Sequence, residues 1–223
     1  MASSRDARRP GHATDGVMRR VSIAVRIADV TADDEREPEV WLVRHGETEW
    51  SKSGQHTGVT DLPLTEAGIE AALTLSGLLS GVRFDLVLSS PMVRARRTAE
   101  LANVEGVRIE DDLVEWNYGD YEGRTRNDIQ SERPGWSVWT QGAPGGESPE
   151  VLSARVDRVI ATCRSSGGRS LLFAHGHVLR GLAARWIDQP VDVGAHLRLD
   201  TATLSVLGHD RGSPTIDLWN SSG

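Results

Sequence analysis

Four apolar residues, Val40-Trp41-Leu42-Val43, run directly into Arg44-His45-Gly46-Glu47-Thr48-Glu49-Trp50. A short apolar run without alternation is the pattern of a strand covered on both faces, as in a parallel sheet. At its carboxyl end, where open α/β sheets place ligands, stand a cation and an imidazole. Gly46 then lets the backbone turn sharply and come close to a bound group. The pair suits an anion that is to be attacked by nitrogen.

The rest of the chain alternates strand and helix patterns. Thr65 reads as the N-cap of a helix running to about Leu79, with Ile69, Leu73, Leu75 and Leu78 as its apolar positions and Gly81 ending it. A strand, Phe84 to Leu88, feeds a helix with Ser90 as N-cap and Pro91 at its first position. That helix carries Arg94, Arg96 and Arg97 and ends near Asn103. Val107 to Ile109 reads as a short strand. Asp111 to Gly123 is irregular and rich in acids and aromatics, and Pro134 to Pro149 is punctuated by glycine and proline around Trp136 and Trp139. From Pro149 to Arg164 an amphipathic helix places Val151, Leu152, Val156, Val159, Ile160 and Cys163 on one side. Ser170 to Ala174 is a further strand. It ends in His175-Gly176-His177 and leads into a helix with Leu179, Leu182, Ala183 and Trp186. Two late strands, Ala202 to Leu207 and Thr215 to Trp219, close the chain. This alternation predicts an α/β fold: a three-layer α/β/α sandwich with a mostly parallel central sheet.

Composition narrows the setting. The formal net charge of −7 over 223 residues argues against non-specific nucleic-acid binding, which needs a basic face, but a local arginine cluster can still reverse the field inside a cleft. The single cysteine, Cys163, excludes an intrachain disulfide, reads as a small core residue and fits a reducing, cytoplasmic setting. No apolar run approaches the ~20 residues needed to cross a bilayer, so no membrane partner is expected. Residues 1–37 are polar and without periodicity and read as a disordered extension, with Val21 to Ile27 able to add an edge strand and either Met1 or Met18 as the start. The catalytic domain is expected over 38–220.

Three strand ends carry related chemistry: Arg44-His45, the helix with Arg94, and His175. In a parallel sheet these ends share one edge, so the four side chains could surround one anion. The two arginines would grip its oxygens with charge-assisted, often bidentate hydrogen bonds, and the helix N-termini after Ser90 and Gly176 would add N–H donors.

Arg44-His45-Gly46-Glu47-Thr48 after a strand, Ser89-Ser90-Pro91-x-x-Arg94-Ala95-x-x-Thr98-Ala99, Glu115-x-x-x-Gly119-x-Tyr121-Glu122-Gly123, Gly145-Gly146-Glu147-Ser148 and the late His175-Gly176 together resemble the histidine phosphatase superfamily, which includes the phosphoglycerate mutases. The match covers roughly 38–208 in the right order. The finer pattern resembles the branch of small acid phosphatases and sedoheptulose bisphosphatases. The resemblance implies a phosphoglycerate mutase-like fold. It also implies a metal-independent phosphatase with no cofactor, acting on a small phosphorylated metabolite. His45 would accept the phosphoryl group, Arg44, Arg94 and His175 would complete the phosphate pocket, and Glu115 would protonate the leaving group. Positioned cations suit a transition state with charge on three equatorial oxygens. Glu115, flanked by Val114 and Trp116, is expected to have a raised pKa. Ser51 stands where many members carry a phosphate-binding asparagine. Gln55, His56, Thr57 and Gly176 would border the substrate, Tyr118 would wall the leaving-group side, and Arg155 matches an arginine that some relatives use for a second anionic group. His177 is assigned to capping or packing rather than catalysis. The resemblance leaves a homodimer open.

Two other functions are compatible with the same residues. A phosphomutase must keep water from the phosphoenzyme, and the short connection between Glu115 and Glu147 leaves little cover for that. A binding module holding a phosphorylated partner would not need both His45 and Glu115.

Overall fold

The computed structural model describes residues 37–223. The expected N-terminal extension (apart from Glu37), the Val21 to Ile27 strand and both candidate starts lie outside the described residues.

The first strand, β1 (Glu39–Arg44), sits inside a six-stranded sheet. Its alternate side chains enter two separate cores. Val40 and Leu42 face one core, and Trp41 and Val43 the other, which is why the apolar run shows no period of two. The chain then forms α1 (Glu49–Ser53), α2 (Glu66–Leu79), β2 (Leu86–Ser89), α3 (Val93–Leu101) and β3 (Arg108–Ile109). Two single-turn helical segments, Asp111–Leu113 and Gly119–Tyr121, lead into α4 (Arg126–Glu132) and α5 (Val138–Gln141). The second half adds α6 (Pro149–Ser166), β4 (Arg169–Ala174), α7 (Gly176–Trp186), β5 (Leu204–Asp210) and β6 (Ser213–Ser221).

The strand order is β3-β2-β4-β1-β5-β6. The first four run parallel, and β5 and β6 are antiparallel additions beyond β1. Helices α6 and α7 cover one face through Leu152, Val156, Val159, Val178 and Leu182, while α2 and α3 cover the other through Leu75, Leu79 and Ala99. This is the expected three-layer α/β/α sandwich, with a mixed sheet. Cys163 is buried in the first core, and burial pushes its thiol up to about 11.

Local signals account for most helix ends. Thr65 accepts a hydrogen bond from Gly68 N–H at 3.0 Å and starts α2. Ser148 caps α6, with Pro149 at its first position. The inward face of α2 matches the expected one only in part: Leu75 is buried and Leu78 packs against the core. Gly68, Ala72, Leu75 and Leu79 are buried, whereas Leu73 is half exposed. The helix passes the turn after β1 through Gly68, against the backbone of Glu47, which leaves Ile69 half-buried and Leu73 facing solvent. Val151 of α6 is likewise exposed, because it precedes the buried stripe that begins at Leu152. Helix α3 begins two residues later than expected: Ser90 is engaged by His175, and Val93 N–H is taken by the Asp61 carboxylate at 2.9 Å instead of a local cap. Helix α4 was not expected at all. It starts at a reciprocal cap between Thr125 and Asp128.

Gly46 and Gly68 stack back to back where α2 meets the turn after β1. A Cβ at 68 would overlap the backbone of Glu47, and one at 46 would overlap the Gly68 carbonyl. Gly77, later in α2, has open space around it. Gly68→Ala is therefore expected to lower the melting temperature by shifting the turn that carries His45. Gly77→Ala is expected to stabilise by roughly 0.5–1 kcal/mol. Paired thermal melts check both, and a neutral Gly68→Ala would contradict this packing.

Candidate active site

His45 extends the β1–β4 ladder by one bond, its N–H donating to the Ala174 carbonyl at 2.9 Å. The next amide, Gly46 N–H, donates to Thr98 Oγ1 at 2.9 Å, and the Thr98 hydroxyl donates to the Arg94 carbonyl at 2.8 Å. Helix α3 thus clamps the turn. The His45 ring is buried, with Nδ1 2.7 Å from the Gly46 carbonyl. A carbonyl only accepts, so Nδ1 carries the proton and Nε2 keeps its lone pair. Burial, then the Arg44 and Arg94 charges, push the imidazole down to about 3. At neutral pH it is an uncharged nitrogen nucleophile held in one tautomer.

His175 lies at the end of the neighbouring strand, its ring centroid 5.1 Å from that of His45. Its Nδ1 accepts from Arg94 Nε–H at 3.0 Å, so its Nε2–H donates to Ser90 Oγ at 2.8 Å. Burial, Arg94 and His45 hold it well below the usual imidazole range. Arg94 is fully buried and its fork is engaged. Nη1 donates to the Thr60 carbonyl at 2.9 Å, and Nη2 donates to those of Thr57 and Gly58 at 3.2 and 3.1 Å. The sequence suggested that this fork grips phosphate. The structure instead sets it under the 57–60 loop, whose buried carbonyls need donors, and there it fixes His175 and supplies charge from below.

Arg44 is the open cation. Its Nη1 donates to the Leu199 carbonyl at 2.6 Å, and its Nε is the one buried side-chain polar atom without a hydrogen-bond partner among the described residues. A buried donor left unpaired costs roughly 1–3 kcal/mol, a cost that an anionic ligand would remove. Gly176 lies against both this guanidinium and Glu115: a Cβ there would stand 3.4 Å from Arg44 Cζ and 3.6 Å from Glu115 Oε2.

Glu115 is buried, and its carboxylate accepts three backbone N–H groups, those of Trp116, His177 and Val178, each at 2.9 Å. It therefore occupies the N-terminus of α7, just as Asp61 occupies that of α3. The sequence assigned both helix N-termini to the anion, but carboxylates of the chain already fill them. The expected raised pKa is also corrected. Burial alone would raise it, but the adjacent His177, through its ring 3.8 Å from Oε2 and its N–H, together with the N–H groups of Trp116 and Val178, outweighs burial and holds the carboxyl well below its usual range. Glu115 is ionised in the ligand-free protein.

These groups meet in a cavity of about 160 Å³, bordered by Arg44, His45, Glu115 and Gly176 and also by Ser51, Gln55, His56, Thr57 and Tyr118. Arg94 and His175 lie beneath it. Ser51 is in the wall, but its hydroxyl donates to the Thr48 carbonyl at 3.0 Å in the cap of α1. Gln55 Nε2 donates to the Gly123 carbonyl at 2.7 Å. Thr57 Oγ1 donates to the Gln55 carbonyl at 3.2 Å. The His56 ring packs edge-on to Tyr118, and burial and the nearby His177 lower it to about 4. The Tyr118 phenol, raised well above its usual range by burial and by Glu115 and Glu122, stays protonated and donates to His177 Nδ1 at 2.7 Å. Arg155 is not brought to the cavity. Its fork pairs with the Glu147 carboxylate at 3.0 and 2.9 Å and with the carbonyls of Asp112, Val114 and Glu115, which makes it the brace of the Glu115 segment. A larger cleft of about 480 Å³, with Trp139, Ser153 and Arg185 in its wall, lies away from this chemistry.

Sequence reasoning missed three contributors. Arg180 borders the cavity; its only signal was its place one helical turn after His177. The Leu199 carbonyl positions Arg44, and Ala202 N–H donates to the carbonyls of Arg44 and His45 at 3.1 and 3.2 Å. Backbone groups leave no signature in residue type.

A buried neutral imidazole, a histidine beside it, unpaired arginine donors and an adjacent carboxylate are the kinds of group that phosphoryl transfer uses. The sequence model of the histidine phosphatase superfamily (branch 1) matches residues 40–222. An acid phosphatase of Mycobacterium tuberculosis is 37% identical, with 82% of this chain and 92% of that protein aligned. A sedoheptulose 1,7-bisphosphatase of Saccharomyces cerevisiae is 38% identical over 67% of each chain. The solved structure of an open-reading-frame product of M. tuberculosis superposes with a TM-score of 0.80 at 34% identity, covering 84% of this chain and all of that one. The chain belongs to the histidine phosphatase superfamily. Within that superfamily it is a phosphatase with the phosphoglycerate mutase-like fold.

The lowered imidazoles fix a pH response. A histidine whose folded pKa lies below its unfolded value binds its proton preferentially in the unfolded chain, so stability falls as pH drops from about 6.5. His45, His56, His175 and His177 all act in this direction. The His45 Cε1–H NMR signal of the ligand-free protein is expected to stay constant from pH 8 to 5, with the melting temperature declining over that interval. A titration centred near 6.5 would contradict the buried neutral ring.

Proposed function

We propose that the protein hydrolyses phosphate monoesters of a small metabolite through a phosphohistidine on His45, without a metal ion or other cofactor, in the cytoplasm. The observation that carries this reading is the His45 ring: Nδ1 is tied to the Gly46 carbonyl and Nε2 accepts from no described residue. Nε2 attacks phosphorus as the P–O bond to the leaving group breaks. Arg44 pairs with the equatorial oxygens, while Arg94 and His175 steady the charge from beneath.

Glu115 supplies the leaving-group proton. Its carboxylate is ionised before binding, so the proton arrives with the substrate as a phosphate monoanion, whose last pKa is about 6. A phosphoryl group beside the carboxylate, with water displaced, raises the Glu115 pKa and moves the proton onto it. The alkoxide takes that proton on leaving. The same carboxylate then receives a proton from the water that attacks the phosphohistidine, which returns neutral His45 and inorganic phosphate. This sequence favours mildly acidic pH.

His45→Ala is expected to reduce p-nitrophenyl phosphate turnover by at least about 1,000-fold, and turnover near wild type would overturn the assignment. Glu115→Gln is expected to cost roughly 100- to 10,000-fold in kcat/KM on alkyl phosphates and much less on p-nitrophenyl phosphate, whose leaving group needs no proton; kcat/KM reports formation of the phosphohistidine and so excludes its hydrolysis, a step common to both substrates. An equal loss in kcat/KM on both would remove Glu115 from the proton-donor role. Activity should persist in excess chelator; loss reversed by a divalent cation would contradict the metal-free chemistry.

A further inference from the structure

The two oxygens of the Glu115 carboxylate are not equivalent. Oε1 accepts the N–H groups of Trp116 and Val178, each at 2.9 Å, whereas Oε2 accepts only that of His177, also at 2.9 Å. A carboxylate oxygen offers two lone pairs, so Oε1 is filled and Oε2 keeps one free. A proton on Glu115 therefore sits on Oε2. Gly176 lies against both that oxygen and the Arg44 guanidinium: a Cβ there would stand 3.6 Å from Oε2 and 3.4 Å from Arg44 Cζ. The free lone pair and the open cation thus share one wall of the cavity.

A second base stands beside that oxygen. His177 Nδ1 is 3.8 Å from Oε2, too far for a hydrogen bond but a small shift away from one. An imidazole is by nature more basic than a carboxylate, so a proton delivered to Oε2 could pass to Nδ1 and be held there as an imidazolium beside the carboxylate. The leaving alkoxide would then find no proton on Glu115. The Tyr118 hydroxyl closes that route. It stays protonated and donates to Nδ1 at 2.7 Å, which takes up the lone pair. Donation to the neutral ring disfavours its protonation. The imidazole is also packed in place, 5.1 Å between centroids from Trp139 and edge-on to Trp116 at 6.2 Å. The titratable and charged groups around it are Glu115 and Tyr118 before α4, His56 after α1, Arg44 at the end of β1 and Arg180 on α7. Burial holds the ring below the usual imidazole range against the pull of Glu115, and Arg180 and Arg44 act with burial.

We propose that Tyr118 and His177 are positioning residues for the proton donor: the Tyr118 hydroxyl occupies Nδ1, so the proton that enters with the substrate stays on Glu115 Oε2 for the leaving group. The sequence assigned His177 to capping or packing; its N–H does serve Glu115, and its ring has this further part. The inference rests on the phosphatase reading above, with Glu115 as proton donor, and adds the pair that keeps the proton in place.

The test follows the His177 ring by 15N NMR and compares kcat/KM on glycerol 3-phosphate and p-nitrophenyl phosphate. In the wild type at pH 6.5 with saturating inorganic phosphate, Nδ1 should remain unprotonated and Nε2 protonated. A proton on Nδ1 overturns the proposal whether or not any variant folds. In Tyr118→Phe the His177 midpoint should rise by about one pH unit, because a donor to the neutral ring is lost. The ratio of kcat/KM on glycerol 3-phosphate to that on p-nitrophenyl phosphate should fall at least about tenfold. Adding His177→Gln removes the competing base, and the double variant should recover most of that ratio, which a lost contact of the hydroxyl with substrate would not allow. An unchanged midpoint, an equal loss on both substrates, or no recovery in the double variant overturns the proposal. If Glu115→Gln itself fails to discriminate between the two substrates, the proton-donor reading has failed; if it discriminates and Tyr118→Phe does not, only the role of Tyr118 and His177 falls.

Discussion

The parallel pairing of β1 with β4 is the constraint from which the site follows. Arg44 lies opposite Ala174 in register, so the next residue on each strand is a histidine leaving the sheet at the same height. The ladder continues one bond past the strand end, from His45 N–H to the Ala174 carbonyl. The two rings are thereby set 5.1 Å apart before any ligand arrives. A slip of one residue would turn His45 toward the opposite face and Val43 with it. Such a slip would also take Trp41 and Val43 out of one hydrophobic core and Val40 and Leu42 out of the other. The packing of both cores therefore enforces the register that the chemistry needs.

The electrostatics are arranged by exclusion. Asp61 and Glu115 occupy the N-termini of α3 and α7, which takes the favourable helix ends away from a ligand but anchors the acid. Arg155 and Glu147 brace the segment on which Glu115 sits. Glu122 accepts N–H groups of Gly58 and Thr60 and so fixes the loop over Arg94. With these acids engaged elsewhere, Arg44 and Arg180 remain as positive charge in the cavity wall of an acidic protein. A ligand anion meets cations already oriented, and little reorganisation is left for the reaction itself.

Much of this was legible in the residues. The unalternating Val40–Val43 run read as a doubly covered strand, and the cap at Thr65 and the amphipathic stripe from Pro149 placed α2 and α6 within a residue or two. His45, His175, Arg44 and Glu115 were each legible beside a strand or in an acid-rich turn. Other features were not. The buried face of α2 follows Gly68 and Ala72 rather than the larger Leu73, because Gly68 lies against the backbone of Glu47 in the turn after β1, where no side chain fits. The start of α3 shifted because Ser90 serves His175 and not its own helix. Arg155 and Arg180 have the same residue type and both lie on amphipathic helices, yet one is a brace and the other faces the cavity.

The sequence by itself determined the layer order, the strand that ends in the Arg44-His45 pair, and membership in the histidine phosphatase superfamily. These depend on apolar periodicity and on residues that are neighbours along the chain. Only the tertiary structure decided which cations keep their donors for a ligand, that Glu115 is ionised when the site is empty, and that Leu199 and Ala202 hold Arg44 in place. Those properties arise from partners distant in sequence and from backbone carbonyls. Hydrogen-bond competition among such groups is settled only when the chain has packed.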